Sequence, residues 1–532
     1  MVKQLYRLFL ILFIIIHLNI NIHALENIPI DSWIYKDLLK LEACGLIDEL
    51  GPLNQKPYSR REVALFVFKL INSNNKKFKK NEISKIIRKL NKEFEYELKL
   101  LQGSAKPDSD VEKISIRDTE LLFLNTKDTT NIYEELGSSN HYVNYPIKDE
   151  FTDKDNKKGN NVWINTNLYF DYYNEMGLMY RPLLYWNEDG GKAKTENNEY
   201  TISLSYNKFD LIIGKEKIFW GPGQHGSLLL SDNAPPRDML QIKNTLPVIL
   251  PWIFDKLGPM KLSAFFSKLD DERLVPDTYF TGMKINFMPF KRFEFGFSKT
   301  VFSGGDRVRD GEKYYKPTGL DLFLDLISFI PRELRGKGHE DFSTDTNQIG
   351  GFDLRIKIPE LNCILYTEYM QEDYRLSLKE YLKTGADDRA SLVGLFWNPP
   401  FDNYKTDVSA EYATTTEPWY KHGKYSDGYI YKHKIIGHHM GSDADDLWIS
   451  INRSFDENIS FKYSFDFERQ GIREGSVITK KYQHSIDMDY IISDNLSTSL
   501  SYAAIRYENP DHNKDASIIN NFMTGIGLLY RY

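Results

Sequence analysis

Six side chains in one short stretch have the chemistry to hold a metal ion or to share protons: His433, His438, His439, Asp443, Asp445 and Asp446. Imidazole and carboxylate are suitable donors for zinc or manganese. Their spacing matches neither the i, i+4 histidine pair of a metal-binding helix nor the ligand pattern of a calcium loop. It predicts a polar network bracing a loop, with no metal and no cofactor. A second stretch, from Gly214 to Pro236, carries Trp220-Gly221-Pro222-Gly223, then His225, Ser231, Asp232 and Asn233. The glycines and proline force a turn that leaves Trp220, His225 and Asn233 near a rim or an interior. Such residues suit sugar, because aromatic faces stack on pyranose C–H surfaces while Asn, Asp and His share hydroxyl hydrogen bonds. The candidate ligand-binding set is therefore Trp220, His225, Asn233, His438, His439, Asp443 and Asp445. A packing reading stands beside it: glycine and proline at this density report a demanding backbone path, with Trp220 packed on the turn and Asp232 and Asn233 satisfying backbone groups. Asp443 with Asp445, or Ser227 beside His225, are the only hints of catalysis, and neither spacing gives a nucleophile, base and orienter. No catalytic residue is assigned.

The elements that position these segments repeat with a period of two. Phe293, Phe295 and Phe297 alternate with Glu294, Gly296 and Ser298; Phe461, Tyr463, Phe465 and Phe467 alternate with Lys462, Ser464, Asp466 and Glu468. Leu354, Ile356 and Ile358 alternate in the same way with Asp353, Arg355 and Lys357, and the last strand ends on Ile526, Leu528, Tyr530 and Tyr532. One face suits lipid and the other water, the pattern of a transmembrane barrel. Strands cross a bilayer only when every edge is paired, so the predicted fold class is a large antiparallel transmembrane β-barrel of about 18 strands over residues 104–532. Aromatic residues make up 14% of the chain, enough for two interfacial girdles. A mean hydropathy of −0.48 is compatible with this, because lumen and loop residues dilute the lipid face.

The front of the chain sets the compartment. Residues 1–24 carry Lys3 and Arg7, an apolar run from Leu8 to Ile16, and a small residue at Ala24, which reads as a secretory signal. Residues 25–103 change to a helical period and predict a small periplasmic domain. Asp31 or Ser32 caps a helix with Ile34, Leu38 and Leu41 that stops at Gly45; Ser59 and Glu62 have capping-box spacing; a third helix runs from Asn81 through Ile83, Ile86, Leu90, Phe94 and Leu98. The stretches 103–113 and 125–160 read as loops, and 319–330 as a short helix in a long loop over or in the pore. Cys44 and Cys363 lie far apart and predict no disulfide framework. A net charge of −7 excludes a polybasic nucleic-acid footprint.

The Trp220-Gly221-Pro222-Gly223 turn with Ser231, Asn233 and Pro235, and Gly437-His438 with Gly441, Asp443, Ala444 and Asp445, resemble the Wzi-type capsule-assembly family of outer-membrane proteins. That resemblance implies an outer-membrane barrel with a periplasmic helical region that holds capsular polysaccharide at the cell surface, without enzymatic activity. Its implied partners are capsular or extracellular polysaccharide, outer-membrane lipid and the barrel-insertion machinery, with the chain acting as a monomer. Trp33, Gly45-Leu46-Ile47 and Tyr58-Ser59-Arg60-Arg61-Glu62 resemble an S-layer homology repeat, which adds cell-wall polymer as a partner of the helical domain. A passive porin or sugar channel and an outer-membrane glycan- or lipid-modifying enzyme are the competing readings, and fold alone does not decide among them.

Overall fold

The computed structural model describes residues 26–47, 51–73, 81–103, 113–127, 158–172, 176–188, 191–206, 208–271, 273–305, 346–372, 388–422, 427–432, 434–473 and 477–532, with isolated positions at 425 and between 308 and 326. The signal segment 1–24, the greater part of both polar stretches and nearly all of 319–330 lie outside the described residues.

Eighteen antiparallel strands, from Lys113–Thr126 to Ile519–Arg531, form one closed barrel. Its first strand closes the wall by pairing with Gly159–Tyr172 on one side and with the last strand on the other, where Asp118 lies opposite Arg531 and Thr126 opposite Met523. No edge stays open, which is the condition lipid imposes. The two faces sort as the alternation predicts. Asp353, Arg355 and Lys357 are buried inward while Leu354 and Ile356 face out; Ile202, Ile213, Ile242, Ile449 and Leu500 are exposed on the outer wall. A band of exposed aliphatic and aromatic side chains around a closed wall is a lipid-facing surface.

Among the described residues four helices precede the wall: α1 (Trp33–Ala43), α2 (Arg60–Asn72), α3 (Asn81–Glu93) and α4 (Glu95–Leu101). Ser32 Oγ accepts the Ile34 N–H, and Gly45, at φ 68°, turns the chain after α1. Asp31 does not cap; it pairs with Arg181 of the wall at 2.7 Å. The capping box is half made. Ser59 Oγ accepts the Glu62 N–H at 3.2 Å, but the Glu62 carboxylate turns outward to Lys261 of the wall. The periodic run from Ile83 to Leu98 is two helices, broken at Phe94 (φ −105°, ψ 21°). The break lets Glu93 and Glu97 both reach the guanidinium of Arg60, each at 2.6 Å, with Phe94 buried beneath it.

This helical unit is set into the end of the barrel that carries short turns, where Lys92 reaches Asp494 and Lys85 the Asp456 carbonyl. Polar groups of the lumen wall meet it throughout. Leu53 N–H and Asn54 N–H donate to Glu294 at 2.9 Å, Asn54 Nδ2 donates to Asp353, Lys40 pairs with Asp407 at 3.0 Å, and Arg355 pairs with Glu42. Gln55–Lys56 adds antiparallel to Phe219–Trp220, which belongs to a second layer of lumen filling. That layer is built from the connections around residues 217–236 and 416–443, and its core is apolar: Trp220, Leu228 and Trp419 pack with Phe265, Phe280 and Phe302 of the wall. The inner face is thus not polar throughout, as the period-two reading has it; Phe265, Phe280 and Phe302 point inward because inserted chain, not water, meets them.

Burial disfavours the charge on Glu97, but Arg60 outweighs it and holds the carboxyl below its ordinary range. The stabilisation is present above the unfolded-state value near about 4.3 and is lost as pH falls through the lower folded value. Glu97→Gln should lower stability at neutral pH and flatten the loss of stability on the acid side, read by denaturant midpoints across pH. An unchanged acid limb would contradict this.

Candidate functional site

The segment after Phe219 enters the lumen and is held there by two carboxylates from the wall. Glu368 accepts the Leu228 N–H at 2.8 Å and the Ser227 hydroxyl at 3.1 Å; Glu411 accepts the N–H groups of Gln224 and His225 and the Tyr366 hydroxyl. Glycine is required on this path. Gly221 sits at φ 146°, a Cβ on Gly223 would strike the Gly226 carbonyl, and a Cβ on Gly226 would stand 2.6 Å from the His438 ring. Trp220 is fully buried against Phe265, with ring centroids 5.4 Å apart, and so presents no stacking face to a polymer. Asn233 is half-buried, lines the edge of an internal cavity and donates to the Ile435 carbonyl at 2.9 Å. The buried Trp220 fits the packing reading of the sequence.

His225 arrives beside His438 and His439, which come from the other segment. The three rings crowd together, with His225 centroids 6.3 Å from His438 and 4.6 Å from His439, and Trp448 stacks on His225 at 4.9 Å and 6°. The structure brings these histidines together and separates them from Asp443 and Asp445. Asp443, at φ 47°, accepts the Arg473 N–H and braces a turn. Asp445 lies on the opposite face of the strand Ala444–Ser454, bonded to Arg469 at 2.9 Å and to the Tyr412 hydroxyl at 3.2 Å. The carboxylate pair that Asp443 and Asp445 could have made is therefore not formed, because alternation turns residue 445 away from the lumen.

The carboxylate that reaches the histidines is Asp446, one residue on. It faces Glu468 directly across the strand pair, Asp466 stands opposite Trp448, and Lys481 stands opposite Glu468 on the next strand. All of these side chains are nearly inaccessible. Asp466 and Glu468 were visible as members of a polar face, and counting inward from Trp448 by twos would have selected Asp446; Lys481 had no signal of its own. His439 Nε2 is 3.3 Å from Asp446 and 3.2 Å from Glu468. Burial disfavours its protonated form, and the facing charges of Glu468 and Asp446 more than offset this, pushing it up to about 9. His433 lies outside the described residues.

Ser227 does not serve His225 as a nucleophile: its hydroxyl is shared between the Trp220 carbonyl at 2.5 Å and Glu368 at 3.1 Å. Of the residues that carry the resemblance to a wall-polymer module, Tyr58, Arg60 and Glu62 are buried between helices and barrel, while Trp33, Leu46 and Arg61 are half-buried.

Trp220→Ala should cost about 3–5 kcal/mol through the cavity it leaves and lower the temperature at which the folded barrel loses its fast gel migration. Retention of wild-type heat stability would show that the ring is not part of the packed core.

A family model for the capsule assembly protein Wzi matches residues 148–519, well over half of the chain. A Klebsiella pneumoniae protein, described as an uncharacterized 55.8 kDa protein in the cps region, is 24% identical over 197 residues, covering 35% of each chain, so the chain spans about a third of that relative's length. Among solved structures, the Escherichia coli outer-membrane protein Wzi, described as involved in group 1 capsule assembly and as a carbohydrate-binding β-barrel, has a similar fold, with a TM-score of 0.67 at 16% identity over 95% of this chain and 99% of that one. By the extent of the family match, the chain belongs to the Wzi family of capsule-assembly proteins.

Proposed function

We propose that this chain is a non-enzymatic outer-membrane barrel that binds and organises capsular or extracellular polysaccharide at the cell surface. Family membership supplies the capsule context. The observation that carries the reading is the lumen filling: helices from one end and inserted connections behind them commit much of the wall's inner face to protein contacts. Such a barrel serves as a rigid mount rather than a passage. The carbohydrate binding described for the Escherichia coli relative supports the same assignment.

Orientation follows from barrel architecture. Short turns face the periplasm in outer-membrane barrels. Helices α1 to α4 sit at the short-turn end, so this reading places them on the periplasmic side and the opposite rim toward the polymer. One sugar contact is worth only about 1 kcal/mol beyond area burial, so retention rests on many polymer repeats meeting several sites or several copies of the protein.

One feature favours the sugar channel. A cavity of about 870 Å³ lies between the helical unit and the wall, lined by Asp31, Arg117, Asp118, Arg181 and Glu199. Arg181 reaches Asp31 from the wall, tying the helical unit to one side of this space.

Cells lacking the protein should still make their surface polysaccharide but release it into the medium, giving a thinner coat with undiminished total polymer. Quantifying cell-bound and released polysaccharide checks this. A full coat on the deletion strain would overturn the retention role, and a fall in total polymer would point to synthesis instead.

A further inference from the structure

The geometry points to a divalent transition-metal site, best suited to zinc, held inside the lumen by His225, His439, Asp446 and Asp466. These residues come from four separate parts of the chain: the inserted segment after Trp220, the connection before Ala444, and two neighbouring strands. His225, His439 and Asp466 each offer one donor atom within 4.8 Å of the others, and so do Asp446, Asp466 and Glu468. The individual separations have the size a bound ion sets. His439 Nε2 to Asp446 Oδ2 is 3.3 Å, and His225 Nε2 is 3.6 Å from both Asp446 Oδ2 and Asp466 Oδ2. A tetrahedral ion with nitrogen and oxygen ligands at about 2.0–2.1 Å places neighbouring donors about 3.3–3.4 Å apart.

The second observation is independent of this spacing. Neither carboxylate oxygen of Asp446 nor the Nε2 of His439 has a hydrogen bond of good geometry, although each residue is at most 2% exposed. Buried polar atoms are nearly always satisfied. Here His439 Nε2 and Asp446 Oδ2 stand 3.3 Å apart without forming such a bond.

Charge gives the same answer. Asp446, Asp466 and Glu468 bring three negative charges into a site that excludes water, and Lys481, bonded to Asp466 at 2.8 Å and to Glu468, brings one positive. One divalent ion with two neutral imidazoles offsets this excess, taking the place of the proton that His439 otherwise carries. Imidazole donors favour zinc over calcium or magnesium. The surrounding groups orient the ligands as metal sites demand: Trp448 fixes the plane of His225, and Lys481 fixes Asp466. His438 also brings a donor atom near His439 and Asp446, but its Nδ1 accepts the Met440 N–H, which leaves the proton on Nε2, 3.9 Å from Asp446, and sets it outside the ligand set. The absence of a metal expected from spacing along the chain reflects what linear spacing measures, since none of these four residues is a near neighbour in sequence of more than one other.

The experiment uses the full-length barrel purified in detergent, stripped with chelator, exposed to micromolar zinc and freed of excess by gel filtration. Stoichiometric zinc should remain. His439→Ala and Asp446→Asn should each reduce it to background, while Asp443→Asn and Asp445→Asn, whose side chains lie off the centre, keep it. Glu468→Gln, which removes the carboxylate 3.2 Å from His439, should weaken binding about 10- to 100-fold. Because a core variant can fail to fold, heat-modifiable migration is checked for each. Cobalt loading of the unaltered protein gives a reading that needs no variant: intense visible absorption of tetrahedral cobalt supports the site. Folded wild-type protein that holds neither zinc nor tetrahedral cobalt would overturn it, as would equal loss of zinc in the Asp443 and Asp445 variants.

Discussion

Everything in this molecule follows from the charges that the wall turns inward. A barrel whose strands alternate strictly must place half its side chains in the lumen, and here many of these are ionisable: Glu294, Asp353, Arg355, Glu368, Glu411, Asp446, Asp466 and Lys481 are all buried. In a water-filled pore such groups would be solvated. Here they are covered by protein, and a buried charge without a partner costs several kcal/mol. The inserted chain supplies the partners, mostly as backbone N–H groups and opposite charges. Glu294 takes two amides from the helical unit; Glu368 and Glu411 take three from the segment after Trp220.

This coupling explains why the lumen segments look as they do. Chain that must place successive N–H groups against fixed carboxylates cannot be a regular helix or strand, and it runs past wall side chains with no room for Cβ atoms. Hence Gly221, Gly223 and Gly226 in the space of six residues. The apolar core around Trp220, Phe280 and Trp419 then anchors the same segment from the other side. Polar clamps and apolar packing act on opposite faces of one insert, so each limits the freedom the other leaves.

Much of the fold was legible because a period of two is a direct consequence of pleating. The strands around Phe293, Leu354 and Phe461 were readable from alternation, and Ser59 announced α2. The family likewise followed from the two irregular segments, and the family match bears that out. What alternation cannot report is the cross-strand register, and the histidine cluster depends on it. Asp445 and Asp446 are indistinguishable by type, yet one faces away and the other faces the histidines because the strand begins at Ala444. Glu62 and Asp31 read as capping residues because their wall partners, Lys261 and Arg181, are distant in sequence. The helix break at Phe94 follows the same logic, since it is Arg60, from another helix, that draws Glu93 and Glu97 together.

The central claim is that this barrel is filled by its own chain and mounts a surface function rather than conducting solute. Single-channel recording of the purified full-length protein in planar bilayers addresses it most directly. The account predicts a flat baseline with no steady conductance, and a rise only when residues 26–103 are removed from a barrel that still shows heat-modifiable migration. A large, stable open conductance from the intact chain would contradict it.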